Sequence, residues 1–337
     1  MDLQVAKWTS TESPVTPDVA VLLATYNGSR FVAQQLDSLK QNDSSFTLHW
    51  IDDHSTDDTR EIVRTSASRS GLKLVEWHQP YHLGVPAAFF ELLERVEADI
   101  YLFCDQDDIW QRAKIDTAVE FLKSRLESPS LCCSDFFMFR TGAPEALYSF
   151  FDLAAVRSDP VLPTTKPFLT EVANGHTQAF TRPLRNYFVT HKEVAREYAY
   201  MHDEWMHSIA VATGEVHVLP GVPTTLYRYH GSNASAAFGG WVGQGSGRFT
   251  STWEQRRRFR RALARHAEGI ILASPTLPPG PRLERALEIA RLVASLDRRQ
   301  SPAALLRLLR YRILWSNWRL AFWLAVACLS SDARVAT

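Results

Sequence analysis

At 337 residues, with 45% hydrophobic and 22% charged side chains, the chain excludes wholesale disorder and is long enough for one large domain plus an appendage. The net charge is zero but uneven: from Arg248 onward there are 17 arginines and no lysine against 6 acidic residues, a local excess of +11 over an equally acidic remainder. Four cysteines, two of them adjacent (Cys132, Cys133), resemble neither a disulfide framework nor a zinc spacing and fit a reduced cytoplasm.

Residues 1–18 are polar with two prolines and read as neither a signal peptide nor an anchor. Val19 to Ala24 is a continuous apolar run, as expected of a buried parallel strand. Phe31 to Leu39 has helical spacing, and Phe46 to Ile51 is a second strand closed by Asp52 and Asp53. Ser55 or Thr56 can cap the next helix, with Asp57 and Asp58 in its first turn. A third strand over Leu72–Trp77 precedes a helix over Ala87–Val96. The fourth, Ile100–Cys104, stops at Asp105-Gln106-Asp107-Asp108, and Ala113–Leu126 is helical. Ser130 to Phe139 reads as one strand. Beyond it the alternation weakens to a helix over Asp203–Ala212 and extended chain over Val216–Tyr229. Residues 236–250 form a glycine-rich linker, and Arg-rich helices follow over Glu254–Glu268, Pro281–Arg299 and Pro302–Leu329. The longest apolar run there, Leu320–Leu329, is too short to span a bilayer.

Strands alternating with helices predict an α/β domain over 19–235, its mostly parallel sheet flanked by helices, with a helical C-terminal extension over 251–337. Ligands in such sheets bind at the carboxyl ends of the strands. Three strands here end in polar or acidic clusters: Thr25-Tyr26-Asn27, Asp52-Asp53 and Asp105–Asp108. Three carboxylates in four residues repel one another unless a hard divalent cation, Mn2+ or Mg2+, joins them. Asp52 and Asp53 could equally serve as helix caps. Trp110 is expected to cover this site or to begin the next helix.

Val19–Asn27, Ile51–Asp57 and Phe103–Trp110 resemble, in order and spacing, the three signature blocks of family-2 glycosyltransferases, which have the GT-A fold. Asp105-Gln106-Asp107-Asp108-Ile109-Trp110 followed by Lys114, with His82–Val85 and Phe89–Leu93, is similar to the rhamnosyltransferase-like branch. That branch more usually has Asn where His82 stands. The resemblance spans Val19 to Asn233. It implies that Thr25 and Asn27 line a nucleotide pocket, that Tyr26 lies beside the base, and that Asp53 accepts a hydrogen bond from it with Asp52 in support. Asp105 and Asp107 would form the metal pair with Asp108 adjacent, Gln106 lying in the donor site.

Inverting transfer needs a carboxylate to take the acceptor hydroxyl's proton. Met201-His202-Asp203-Glu204-Trp205 resembles the family's base motif. It makes Asp203 the expected base, at a helix N-terminus that favours negative charge. Asn174-Gly175-His176 resembles the loop between donor and acceptor, with Trp205 nearby. Tyr227–Asn233 resembles a segment in which Arg228 would bind the diphosphate and His230 would complete the metal shell.

The Leu-, Trp- and Arg-bearing tail helix suits an interfacial segment or one packing on protein. No nucleic-acid-binding motif accompanies the charge. The expected partners are therefore a nucleoside-diphosphate sugar and a glycan or lipid-linked acceptor, with peripheral contact at the inner face of the cytoplasmic membrane. A nucleotidyltransferase would need a fuller phosphate loop than Asn27-Gly28-Ser29-Arg30. A catalytically silent scaffold would have no need for the carboxylates and Asp203.

Overall fold

A computed structural model describes residues 16–140, 143–150, 173–219, 223–230 and 253–295. The 236–250 linker, the helix expected over Pro302–Leu329 and residues 231–233 of the last motif lie outside them.

The first half follows the predicted alternation: β1 (Val19–Thr25), α1 (Val32–Leu39), β2 (Thr47–Asp52), α2 (Thr59–Ser70), β3 (Leu74–Trp77), α3 (Val85–Arg95) and β4 (Ile100–Cys104). β1 is apolar throughout because both faces of its sheet are covered. Val19, Val21 and Leu23 pack with Leu36, Trp50, Val63, Ile100 and Leu102 on one side. Ala20 and Leu22 pack with Phe89, Phe90, Tyr101 and Phe103 on the other.

After β4 come β5 (Ile109–Trp110), α4 (Lys114–Leu122), β6 (Ser130–Ser134), β7 (Phe136–Arg140) and β8 (Ala143–Ser149). A short 3₁₀ turn at Gly175–Thr177 leads into β9 (Gln178–Thr181), α5 (Arg182–Thr190), α6 (Lys192–Tyr198) and α7 (His202–Thr213). Then follow β10 (Glu215–Leu219), β11 (Thr225–Tyr229), α8 (Trp253–Ala273) and α9 (Pro281–Ala294).

Seven strands form one sheet in the order β10-β6-β9-β4-β1-β2-β3, all parallel to their neighbours except β9. β5, β11, β7 and β8 form a second, four-stranded sheet. The register pairs Thr25 with Asp52 and Leu23 with Cys104, so the polar ends of β1, β2 and β4 meet at one edge.

Four local expectations are corrected. Ser130–Phe139 is two strands in two different sheets. The chain breaks at Asp135, whose carboxylate accepts bonds from its neighbour's N–H at 2.8 Å and from Ser149 Oγ at 2.6 Å. α2 begins at Thr59 because Ser55 and Thr56 are spent on Asp52 and Asn27, while Asp57 accepts the Thr59 N–H at 3.1 Å. α4 stops at Leu122. The segment from Gln178 to Tyr198 holds a strand and two helices that the sequence pattern did not reveal.

The Arg-rich helices do not stand apart. Leu263, Ala267 and Ile270 of α8, and Ala286, Ile289 and Val293 of α9, join the core that holds Trp205, Met206 and Ile209 of α7. Among the described residues no helix is long and apolar enough to cross a membrane.

That core encloses titratable side chains. Burial pulls His202 and His207 down to about 4 and His266 to about 3, from an ordinary 6.5. Below 6.5 the unfolded chain binds protons that the folded one refuses, so stability falls as pH drops, by about 1.4 kcal/mol per pH unit for each such histidine. The raised Asp105 and Asp108 carboxyls act in the opposite sense, so the histidine share is read against His207→Gln: lowering the pH from about 7.5 to about 5 should cost the wild type more urea stability than it costs the variant, and an equal change in both would refute this reading.

Candidate functional site

At the joined strand ends, the side chains expected to line a nucleotide pocket divide into braces and rim. Thr25 is buried; its Oγ1 donates to Asp52 Oδ1 at 2.9 Å and accepts from Trp50 Nε1 at 3.0 Å. Asp52 also accepts from Ser55 Oγ at 2.6 Å, Ser55 N at 2.9 Å and Arg60 Nε at 2.6 Å. Burial pushes the Asp52 carboxyl upward, and these bonds outweigh it, leaving the acid below its ordinary value.

Asp53 is likewise enclosed. Its carboxylate accepts from Gln79 Nε2 (2.5 Å), Leu83 N (2.7 Å) and Gly84 N (2.8 Å), while His82 Nδ1 bonds the Asp53 carbonyl at 3.0 Å and lies 2.9 Å from Oδ2. Three protein donors hold this carboxylate, and through them Asp53 shapes the loop over residues 79–84. Thr25 and Asp52 are braces of the same kind.

Tyr26 and Asn27 form the rim. Tyr26 is 46% exposed, and its ring lies 4.5 Å from that of His82. Asn27 takes a left-handed conformation (φ 46°), and its Oδ1 accepts the Thr56 N–H at 2.8 Å. Gln106 clamps the Tyr26 backbone: Oε1 accepts its N–H at 3.0 Å, and Nε2 donates to its carbonyl at 3.1 Å. A Cβ at Gly28 would stand 2.1 Å from Gln106 Oε1, so glycine is what lets this clamp close.

The acidic turn faces two ways. Asp107 Oδ2 meets His230 Nε2 at 2.7 Å, and the imidazole stacks on Phe31. Asp108 is fully buried; its Oδ1 accepts the Arg228 N–H at 3.1 Å, while Oδ2 has no hydrogen-bond partner among the described residues. Asp105 Oδ2 and Asp108 Oδ2 each lie 4.0 Å from His176 Nδ1. Asp105, Asp108 and His176 can thus present three ligand atoms within 4.8 Å of one another. The compact group differs from the expected set of Asp105, Asp107 and His230, because consecutive residues of a tight turn project apart.

Burial, with the charges of Asp107 and Asp203, raises Asp105 to about 8. Burial, Asp107 and Asp105 raise Asp108 well above the carboxylate range, and burial holds His176 well below the usual imidazole value. Such a cluster resists carrying its charges together without a cation.

Arg228 is mostly consumed by the protein. Its Nε donates to the Asp107 carbonyl at 2.8 Å, a terminal nitrogen donates to Gln34 Oε1 at 2.5 Å, and the group lies over Phe31 and Phe139. Here it ties the acidic turn to α1.

Asp203 stands in the first turn of α7. Its Oδ2 accepts the Gly175 N–H at 2.8 Å and its Oδ1 the Glu204 N–H at 2.9 Å. A Cβ at Gly175 would come within 3.3 Å of the Asp203 carboxylate and 3.0 Å of His202 Nε2, so a larger residue in the Asn174–His176 loop would crowd the base and push it aside by a few tenths of an ångström. The loop therefore joins Asp203 to the acidic cluster through Gly175 on one side and His176 on the other.

The two tryptophans do not take the expected places. Trp110 is fully buried in β5 against α1 and α4, where its indole N–H meets no acceptor among the described residues, and it neither covers the site nor starts a helix. Trp205 is fully buried between α7 and α8, edge-on to His266. Sequence reasoning placed Gln106 in the donor site without its clamp on Tyr26, and quoted Lys114 after the motif without giving it a task.

The profile described as Glycosyl transferase family 2 matches residues 20–137, running from β1 into β7 and including every carboxylate of the strand-end cluster. The chain carries a family-2 glycosyltransferase domain. This glycosyltransferase is 26% identical over 223 residues to the dTDP-rhamnosyl transferase RfbG of Shigella flexneri, covering 64% of the chain and 74% of the relative. Its fold resembles that of S. aureus TarS 1-349, with a TM-score of 0.56 at 15% identity over 93% of this chain and 90% of the other. The mannosyltransferase PcManGT from Pyrobaculum calidifontis, solved with GDP-Man and Mn2+, gives a TM-score of 0.54 at 19% identity, covering 93% and 86%. These likenesses establish the GT-A fold.

Proposed function

We propose that the glycosyltransferase moves a sugar, with inversion, from a nucleoside-diphosphate donor to a glycan or lipid-linked glycan in bacterial surface-polysaccharide synthesis. Rhamnose from dTDP-rhamnose is the donor this reading favours, on the name of the Shigella relative and the Asp105–Trp110 motif. The observation that carries it is the position of Asp203, whose carboxylate is oriented by Gly175 and lies close enough to Asp105 to raise its pKa. A proton acceptor and a diphosphate-and-cation site then face each other across one loop, as attack on an anomeric carbon requires.

The residues fit a divalent cation. Asp108 Oδ2 is buried without a partner among the described residues, and two carboxylates with one imidazole suit Mn2+ better than Mg2+. Asp105 would be the central ligand, with Asp108 and His176 within reach and the Asp107–His230 pair beside them. When bound, the cation neutralises the diphosphate so that it leaves readily. Tyr26 and Asn27 receive the nucleoside at the rim, Gln106 fixes that rim, and Asp203 takes the acceptor's proton. The excess positive charge after Arg248 supports peripheral contact with an anionic membrane that presents the acceptor.

Calorimetry with dTDP, UDP and GDP, with and without Mn2+, tests the reading. Mn2+-dependent binding with dTDP tightest is expected. Folded protein that binds none of them would favour a catalytically silent scaffold.

A further inference from the structure

Lys114 breaks three local rules at once. It is a lysine only 4% exposed, it is a cation in the first position of α4, where the helix dipole disfavours positive charge, and it follows Ala113, held at φ 65°. Each is a cost, and local rules are broken together where a site demands it.

What these costs secure is visible in the contacts. Lys114 Nζ donates to the His176 carbonyl at 2.5 Å and to Thr225 Oγ1 at 2.5 Å, and lies 4.6 Å from the centre of the Trp110 ring. Thr225 Oγ1 in turn lies 3.4 Å from the same carbonyl. One ammonium thus ties together α4, the 3₁₀ turn, β11 and β5, directly beneath the acidic turn. Burial draws Lys114 down to about 8, opposed by the Asp108 carboxylate.

We propose that Lys114 is a positioning residue of the donor site: it pins the turn bearing His176 so that Asp105, Asp108 and His176 stand within reach of one divalent cation. The inference rests on the metal-dependent reading above. It assigns the ammonium an indirect role, through the His176 backbone, with no contact to the reacting atoms.

Charge and position predict opposite signs, which makes the test decisive. If Lys114 acted by charge alone, Lys114→Met would remove repulsion and tighten cation binding. A positioning role predicts weaker binding, by at least about 10-fold, despite the more negative site. Met keeps the length and apolar stem but leaves the His176 carbonyl and Thr225 Oγ1 without the ammonium donor, so some stability is lost as well; well below its melting transition the folded variant should still bind Mn2+ more weakly, a loss at the site that lowered stability alone would not give. Thr225→Val removes one brace of the ammonium and leaves its charge, so it should weaken Mn2+ binding in the same direction.

The measurement is Mn2+ titration calorimetry on metal-free full chain, without nucleotide, alongside a thermal melt. A Lys114→Met dissociation constant at or below the wild-type value overturns the inference. Should that variant fail to fold, an unchanged constant in Thr225→Val overturns it instead. Wild-type protein that binds no Mn2+ would bring down the metal-dependent reading itself, and the role of Lys114 with it.

Discussion

Asp203→Asn is expected to keep donor binding and to lower transfer by at least about 10²–10⁴-fold, the usual contribution of a positioned general base. Asn preserves the size of the side chain and one carboxamide oxygen, so it can still accept one of the two N–H groups, from Gly175 or Glu204, that orient the carboxylate. It has no means of accepting the acceptor hydroxyl's proton. Nucleotide binding should survive because the rim at Tyr26 and Asn27 is built by Gln106, Ser55 and Thr56, none of which touches Asp203. Glu204→Gln is the control: Glu204 Oε2 lies 4.0 Å from His207 Nδ1, toward the helical core, and the change should leave the rate within a few-fold. Single-turnover kinetics beside nucleotide calorimetry separates the two effects. Unimpaired transfer by purified Asp203→Asn would remove Asp203 from the base position.

The difference between what the sequence revealed and what it hid has physical causes. β1 and β4 were legible because a strand buried on both faces needs an unbroken apolar run, and Val19–Leu23 and Ile100–Cys104 supply one. The second sheet was not. β5 has two residues, and β7 continues the apolar run of β6, so only the carboxylate of Asp135 marks where the chain changes sheet. β9 is four residues long and antiparallel between parallel neighbours, a placement that no periodicity encodes. In the site, a crowd of carboxylates after β4 was plain from spacing, but the direction in which each one points was not. A single turn sends Asp107 to His230 and Asp108 inward beneath Arg228. That Thr25, Asp52 and Asp53 cluster at the strand ends was legible, but the bonds by which they brace one another and the loop over 79–84 were not, because bracing and ligand binding draw on the same polar side chains.

Asp105→Ala is expected to abolish the Mn2+-dependent part of nucleotide binding, weakening it by at least about 100-fold, since even groups that only orient a metal's ligands are worth about 10–100-fold. Asp105 is the carboxylate common to both arrangements: it reaches His176 at 4.0 Å, and the charge of Asp107 contributes to its raised pKa. The comparison with Asp107→Ala decides between them. If Asp105, Asp108 and His176 hold the cation, removing Asp107 takes away a neighbouring charge and a partner of His230, and the loss should be smaller than in Asp105→Ala. If the Asp107–His230 pair opens to admit the ion between its atoms, now 2.7 Å apart, Asp107→Ala and His230→Ala should each match the loss in Asp105→Ala. Calorimetry with Mn2+ first and dTDP second reads each contribution separately. Unchanged Mn2+ dependence in Asp105→Ala would contradict both arrangements, because Asp105 is a ligand in each.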